Sequence, residues 1–341
     1  MGRVNSYLFT NFISTFASLF STLFLIMSIV FFIQIARITS YIEITFFELF
    51  KLYLFMLPRI LLFTIPIAFF VSLAMTLFRL SKENESIVIF TLGYSPNFIA
   101  RFFMLISSIV SIFLLITAIV LIPTAAELNG NFIEYKKTIA KLNLKTTQFG
   151  QKFSNWMIYI QSQKNDINGT TYEGVTLYSP QINAQRLIIA ENAKIINNRS
   201  NLELRLNNGK IYDIKDDVWH QADFKYMKIN TLSNDKISKT RSFLEYWSDI
   251  NTNKKKARDF TTYVLIALFP VATTLFSLSF GVVTYRYEKG FVYFGTFGVL
   301  FAYFAMIMML SSKLFIAILS IFSLFLISSM LFYKKTILKR Y

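Results

Sequence analysis

Few residues in this chain are equipped for chemistry, and the most suggestive are acids heading a short amphipathic stretch. In FRLSKENESIVIFTLGYSP, Phe78 to Pro96, Glu83 and Glu85 precede an apolar run that closes at Gly93. Ser81 or Asn84 is placed to cap a helix start, where acids stabilise the positive end of the backbone dipole. Ile87, Phe90 and Tyr94 recur at i, i+3 and i+7, and Val88 and Leu92 broaden that stripe. Gly93 is placed to end the helix in the left-handed conformation. Such a helix, at about 81–93 with an acid at its head, suits a groove on a partner protein. An interfacial helix resting on lipid fits the same pattern.

Bond-breaking chemistry has little to work with. There is one histidine, His220, and no cysteine, which excludes disulfides, thiol catalysis and Cys-based metal sites. No G-x-x-x-x-G-K-[ST] phosphate loop, G-x-S-x-G or H-E-x-x-H occurs. The chain therefore reads as non-catalytic, with no metal or other cofactor. The sequons at Asn168 and Asn198 are what chance gives at this asparagine content.

The elements that must position the stretch are membrane spans. Of 341 residues, 54% are hydrophobic and 16% charged, with a mean hydropathy of +0.48; soluble domains carry about 25% charged residues. Six uncharged runs, 4–36, 60–78, 102–126, 260–285, 290–312 and 314–333, are 33, 19, 25, 26, 23 and 20 residues long. A helix of about 20 apolar residues crosses the hydrocarbon core, so each run is a credible span. The first is too long for a secretory signal and lacks a cleavage site. MGRVNS formally fits a myristoylation pattern, from which a multi-span protein gains little.

The expected order is spans 1–3 in residues 1–126, a polar block in 127–259, and spans 4–6 in 260–341. With both termini on one side, the short loops there hold ten Lys and Arg residues, against four on the other (Arg37, Lys51, Arg59 and Lys313). The positive-inside rule makes the first side cytoplasmic and puts the polar block across the membrane. The net charge of +16 is in part this topology signal, and no nucleic-acid binding is expected from it. Because the runs contain no Asp, Glu, His or Lys, an ion-coupled relay is disfavoured, and energy from outside the chain is the better expectation. Pro66 lies within the second run, with Pro58 just before it, as a packing kink or a hinge.

The polar block reads as β-structure. WMIYIQ, GVTLYS, QRLIIAENAKI and DFKYMKIN are expected strands, and NLELRLNNGKIYDI alternates Leu202, Leu204 and Leu206 with Glu203 and Arg205. Asn208-Gly209 predicts a hairpin turn there. Short strands without helix between them suggest a sandwich or jellyroll. On one flank, ELNGNFIEYKKTIAKLNLK is expected to continue the third span as a helix. On the other, Lys254, Lys255, Lys256 and Arg258 form a solvated junction or a collar facing anionic headgroups.

The layout and the segment PIAFFVSLAMTLFRLSKENESIVIFTLG, Pro66 to Gly93, resemble the LptF/LptG (YjgP/YjgQ) permease family, membrane subunits of the lipopolysaccharide exporter, over essentially the whole chain. The family's proline, aliphatic run, Leu-x-Arg-Leu-like end, Glu and Gly are matched, with Glu85 and Gly93 at its spacing. MTLFRL and LELRLNNGKIYD lean toward the LptF branch. The resemblance implies six transmembrane helices with a periplasmic β-jellyroll inserted between helices 3 and 4. It implies an inner-membrane ABC transporter permease that extracts lipopolysaccharide from the outer leaflet and passes it to a periplasmic jellyroll bridge. It also implies three partners: a cytosolic LptB-like ATPase, a paralogous LptG-like permease and an LptC-like single-span protein. Glu85, with Ile87, Phe90 and Gly93, would then form the ATPase-coupling helix. IQIARI, Ile33 to Ile38, is similar to the end of the family's first span, which makes Arg37 a lipid headgroup contact; Gln34 stands where the family can have a second basic residue. The rival reading is a membrane-anchored sensor or assembly factor with a ligand-binding β-domain. An intramembrane enzyme is disfavoured by the missing acids, histidines and cysteines.

Overall fold

A computed structural model describes residues 2–39, 44–140, 151–153, 156–166, 169–181, 184–198, 201–215, 218–230, 242–250, 252–282, 289–311 and 314–338. The loop with Arg286, Lys313, the Lys339-Arg340 tail and the Asn168 sequon lie outside these residues. The chain divides into a helical unit (1–37, 45–129 and 241–341) and a β unit (38–44 and 130–240).

In the helical unit, six helices are long and apolar enough to cross a membrane. They are built from α1 (Arg3–Thr39), α2 (Phe46–Lys82), α4 (Pro96–Ile116) continued by α5 (Ile122–Ala140), α7 (Lys254–Gly281), α8 (Lys289–Leu310) and α9 (Leu314–Tyr333). Short α3 (Glu85–Thr91) links α2 to α4, and α6 (Phe243–Ser248) precedes α7. Both prolines of α2 sit inside an unbroken helix.

Lipid supplies no hydrophobic drive between helices, so they must associate through close packing and hydrogen bonds. The α2–α7 pair shows how. A Cβ added to Gly281 would stand 2.5 Å from Leu77 Cβ and 2.8 Å from the Ala74 carbonyl oxygen. Ser277 Oγ donates to the Phe70 carbonyl at 3.0 Å, and Ser81 Oγ donates to the Gly281 carbonyl at 3.0 Å. Arg59 donates to the Tyr263 hydroxyl at 2.7 Å, and Tyr303 on α8 donates to the Leu265 carbonyl at 2.7 Å. In α7, 89% of the most apolar window is buried by the rest of the chain, against 11% in α1.

Where α4 meets α5 the helix widens into a π-turn, Thr117–Leu121. Pro123 follows, and its missing N–H leaves the Ile119 carbonyl without its helical donor. Trp247 Nε1 of α6 donates to that oxygen at 2.9 Å. The basic junction is not uniformly solvated. Lys254, Lys255 and Arg258 are exposed, but Lys256 binds the Tyr246 carbonyl at 2.9 Å and Asp249 at 3.0 Å, over the Tyr246 ring.

Among the described residues the β unit contains one six-stranded antiparallel sheet in sequence order: β1 (Gln151–Phe153), β2 (Trp156–Asp166), β3 (Gly169–Gln181), β4 (Ala184–Asn198), β5 (Asn201–Lys215) and β6 (Val218–Asn230). The expected turn at Asn208-Gly209 is absent, because β5 runs straight through it. Its left-handed backbone serves another end. Gln161, Gly174, Glu191, Asn208 and Lys225 form a row across the sheet that drops out of the pairing, with the register equal on both sides. Gly174 and Asn208 have φ of 61° and 48°.

Across this row the inward residues change parity. Tyr172 and Val175, Ala190 and Ala193, Leu206 and Ile211, and Phe224 and Met227 all pack in one core although their spacings are odd. In a flat strand odd spacing would put them on opposite faces. The sheet is therefore creased, and its two halves enclose one core around Ile160, Val175, Leu177, Leu204 and Leu206. A jellyroll-like enclosure arises from a single meander rather than two separate sheets.

Two predictions follow from this packing. Gly281→Val is expected to destabilise the helical unit by about 2 kcal/mol, the scale of an overpacked core, seen as a lower midpoint in thermal unfolding in detergent. In the β unit, the Arg205 guanidinium at 2.6 Å holds the Glu203 carboxyl below its usual range, and a hydrogen bond from Lys164, then one from Ser162, does the same for Glu173. A depressed carboxylate stabilises the fold above its unfolded pKa, and that stability is lost as pH falls through the folded value. Urea midpoints should thus drop below the ordinary carboxylate range near pH 4, and less so in Glu203→Gln.

Candidate functional site

The end of the helical unit around α3 brings together four segments distant in sequence. Leaving α2, the chain reverses at Asn84, whose φ of 64° is left-handed, and enters α3 at Glu85. Neither expected cap forms through its side chain. Asn84 makes no side-chain cap bond, and Ser81 is buried with its hydroxyl on the Gly281 carbonyl. The closing turn is as expected. Gly93 has φ 84°, its N–H bonds to the Phe90 carbonyl at 3.0 Å, and the Tyr94 N–H reaches the Ile89 carbonyl at 3.3 Å. This paired motif satisfies two otherwise orphaned carbonyls and favours glycine at the left-handed position.

The apolar stripe divides differently from its heptad-like spacing. Ile89 is buried, while Phe90 and Tyr94 pack against the cluster of Leu8, Phe12, Leu77 and Phe103. Ile87, Val88 and Leu92 instead face outward, at 42%, 56% and 76% exposure. A seven-residue helix lying on a packed core must turn one side inward, and the large aromatics take that side. Phe90 is therefore a support for the helix, and the outward edge is Ile87, Val88 and Leu92.

Polar contacts tie this end to the first turns of α1. The Tyr7 hydroxyl donates to Glu85 Oε2 at 2.5 Å. Arg79, in the last turn of α2, donates to Asn11 Oδ1 at 2.6 Å, and the Tyr94 hydroxyl donates to Asn5 Oδ1. Glu85 is half-buried and Glu83 is exposed. No local pattern could reveal these partners, because Tyr7 and Glu85 stand 78 residues apart. The available signal was two asparagines and a tyrosine, Asn5, Asn11 and Tyr7, near the start of an uncharged run.

Arg37 is exposed in the last turn of α1. It lies 30 residues beyond Tyr7 on the same helix, a rise of about 45 Å, so Glu85 and Arg37 are separate sites joined by α1. His220 is exposed on β6 opposite Asp213.

The left-handed Gly93 carries a direct prediction. Gly93→Ala is expected to cost about 1–2 kcal/mol at that turn, read as roughly 5- to 30-fold faster hydrogen exchange at the Gly93 and Tyr94 amides.

The chain was compared with known proteins. No curated protein gives a significant match to it. A family model does match, that of the lipopolysaccharide export system permease LptF/LptG, over residues 6–335. That span takes in all six membrane-crossing helices, α3 and the inserted β-sheet. With six apolar helices, a β domain between the third and fourth, and a match over nearly its whole length, the chain belongs to the LptF/LptG family of lipopolysaccharide export permeases, multi-pass inner-membrane proteins without catalytic function of their own.

Proposed function

We propose that this chain is a transmembrane subunit of an ABC exporter in which α3 docks a cytosolic ATPase of the LptB type. The observation that carries the reading is the outer edge of α3. Ile87, Val88 and Leu92 are exposed beside a half-buried carboxylate, on a helix braced from behind by Phe90. An apolar edge with one acid at its head matches a groove that offers an apolar floor and a cation. The ten-to-four excess of Lys and Arg supports the side bearing α3 and both termini being cytoplasmic, with the β domain in the periplasm.

A paralogous permease would complete a cavity open to the outer leaflet, and an LptC-like single-span protein would extend the periplasmic bridge. Burial favours acyl chains in such a cavity by about 0.8 kcal/mol per CH₂, so several chains need external work to leave. ATP-driven movement of the ATPase against α3 supplies that work, and lipopolysaccharide passes to the β domain. Arg37, exposed at the far end of α1, would meet a headgroup phosphate.

Two measurements test this reading. In a mild-detergent pull-down, wild type is expected to recover an ATPase and a second six-span permease, and Glu85→Arg to lose the ATPase alone. Recovery of no ATPase by the folded wild type would overturn the assignment. Arg37→Ala is expected to weaken lipopolysaccharide binding about fivefold, the ~1 kcal/mol of an exposed ion pair, in a crosslinking titration.

A further inference from the structure

We propose that Tyr7 is the positioning residue through which movement of α3 is passed to α1, making α1 a lever. The inference rests on α3 being the docking helix, and it adds where the push goes. A carboxylate has two oxygens that accept independently. Glu85 Oε2 takes the Tyr7 hydroxyl at 2.5 Å, and Oε1 serves a partner cation. Glu85 then connects the docking surface to α1 directly.

The packing of α1 makes it the element that responds. Near Tyr7, Leu8 and Phe12 are buried in one cluster with Phe69 and Phe103, both of which meet the Phe12 ring edge-on. Farther along, Leu25, Ile26, Ile29 and Val30 are exposed, and one stripe, Ser28, Phe31 and Ile35, is buried. The described contacts of that far half include Ser28 with the Tyr53 hydroxyl at 2.9 Å and Phe32 stacked on the Tyr53 ring at 4.9 Å. Tyr53 lies in the first turns of α2, ahead of Pro58 and Pro66. Each proline removes one helical hydrogen bond and eases bending there. Far α1 and early α2 thus form a hairpin that leans as one piece, while α7 stays fixed in the core. With Phe12 as fulcrum the short arm to Tyr7 is about 7 Å and the long arm to Arg37 about 37 Å, from the rise per residue. A small shift at Glu85 is enlarged at the far end.

The native chain contains no cysteine, so Ile29→Cys and Leu319→Cys accept spin labels without background from this chain; both positions are exposed. In the assembled complex with its ATPase and paired permease, ATP is expected to shift the label distance. Tyr7→Phe keeps the ring and removes the hydroxyl. It is expected to retain ATPase binding and hydrolysis, abolish the shift, and lower lipopolysaccharide extracted per ATP at least threefold. Asn5→Ala, which removes the neighbouring contact to Tyr94 and leaves the bond between Tyr7 and Glu85 in place, is expected to keep the shift. A shift that persists in Tyr7→Phe, no shift in wild type, loss of the shift in Asn5→Ala, or failure of Tyr7→Phe to assemble would each overturn the lever. A wild type that binds no ATPase would instead overturn the docking of α3 on which it stands.

Discussion

The close approach of α2 and α7 is the contact on which the helical unit depends. Surrounded by lipid tails, apolar helices gain nothing from leaving water, and two of them stay together only if their backbones come near enough to pack and bond. Gly281 allows this by having no side chain at the crossing, and Ser277 and Ser81 by being small and donating to main-chain carbonyls. Once α7 is seated on α2, Tyr303 attaches α8 to it, and Trp247 satisfies the carbonyl that Pro123 leaves open in the third span. Of the six spans α7 is thus the most enclosed by the rest of the chain and α1 the least.

α3 is too short to be stable alone, and it is held by a buried face, a left-handed glycine at its end, and three polar contacts near it from α1. What it leaves outward is small: Ile87, Val88, Thr91 and Leu92, with part of one carboxylate. In the proposed docking, a partner on this edge would pull on Tyr7 through Glu85.

In the β unit the controlling constraint is a row of unpaired residues. A single sheet cannot bury one face unless something covers it, and no helix of this unit is packed on the described core. Changing the parity of four strands along one line lets the sheet cover itself. Gly174 and Asn208 tolerate the left-handed backbone that such a crease requires. The same property made Asn208-Gly209 look like a hairpin turn, since local sequence shows that a residue can adopt positive φ but not whether neighbouring strands will use it to turn or to bend.

Properties that depend on composition and short range were legible in the sequence. The six uncharged runs mark the spans because crossing lipid excludes charge over about 20 residues, wherever the helix later packs. The strand positions, the inserted β block, the helix with Glu85 at its head and Gly93 at its end all follow from alternation, turn chemistry and capping. Tertiary structure alone decided which side of that helix faces out, because Phe90 and Tyr94 are drawn inward by Leu8 and Phe12, far away in the chain, and by Phe103 of the next helix. It alone gave Glu85 its partner 78 residues earlier, and turned a predicted hairpin into a crease. Local pattern sets what a segment is able to form; which face it buries, and what its polar atoms bind, is settled by the segments that arrive beside it.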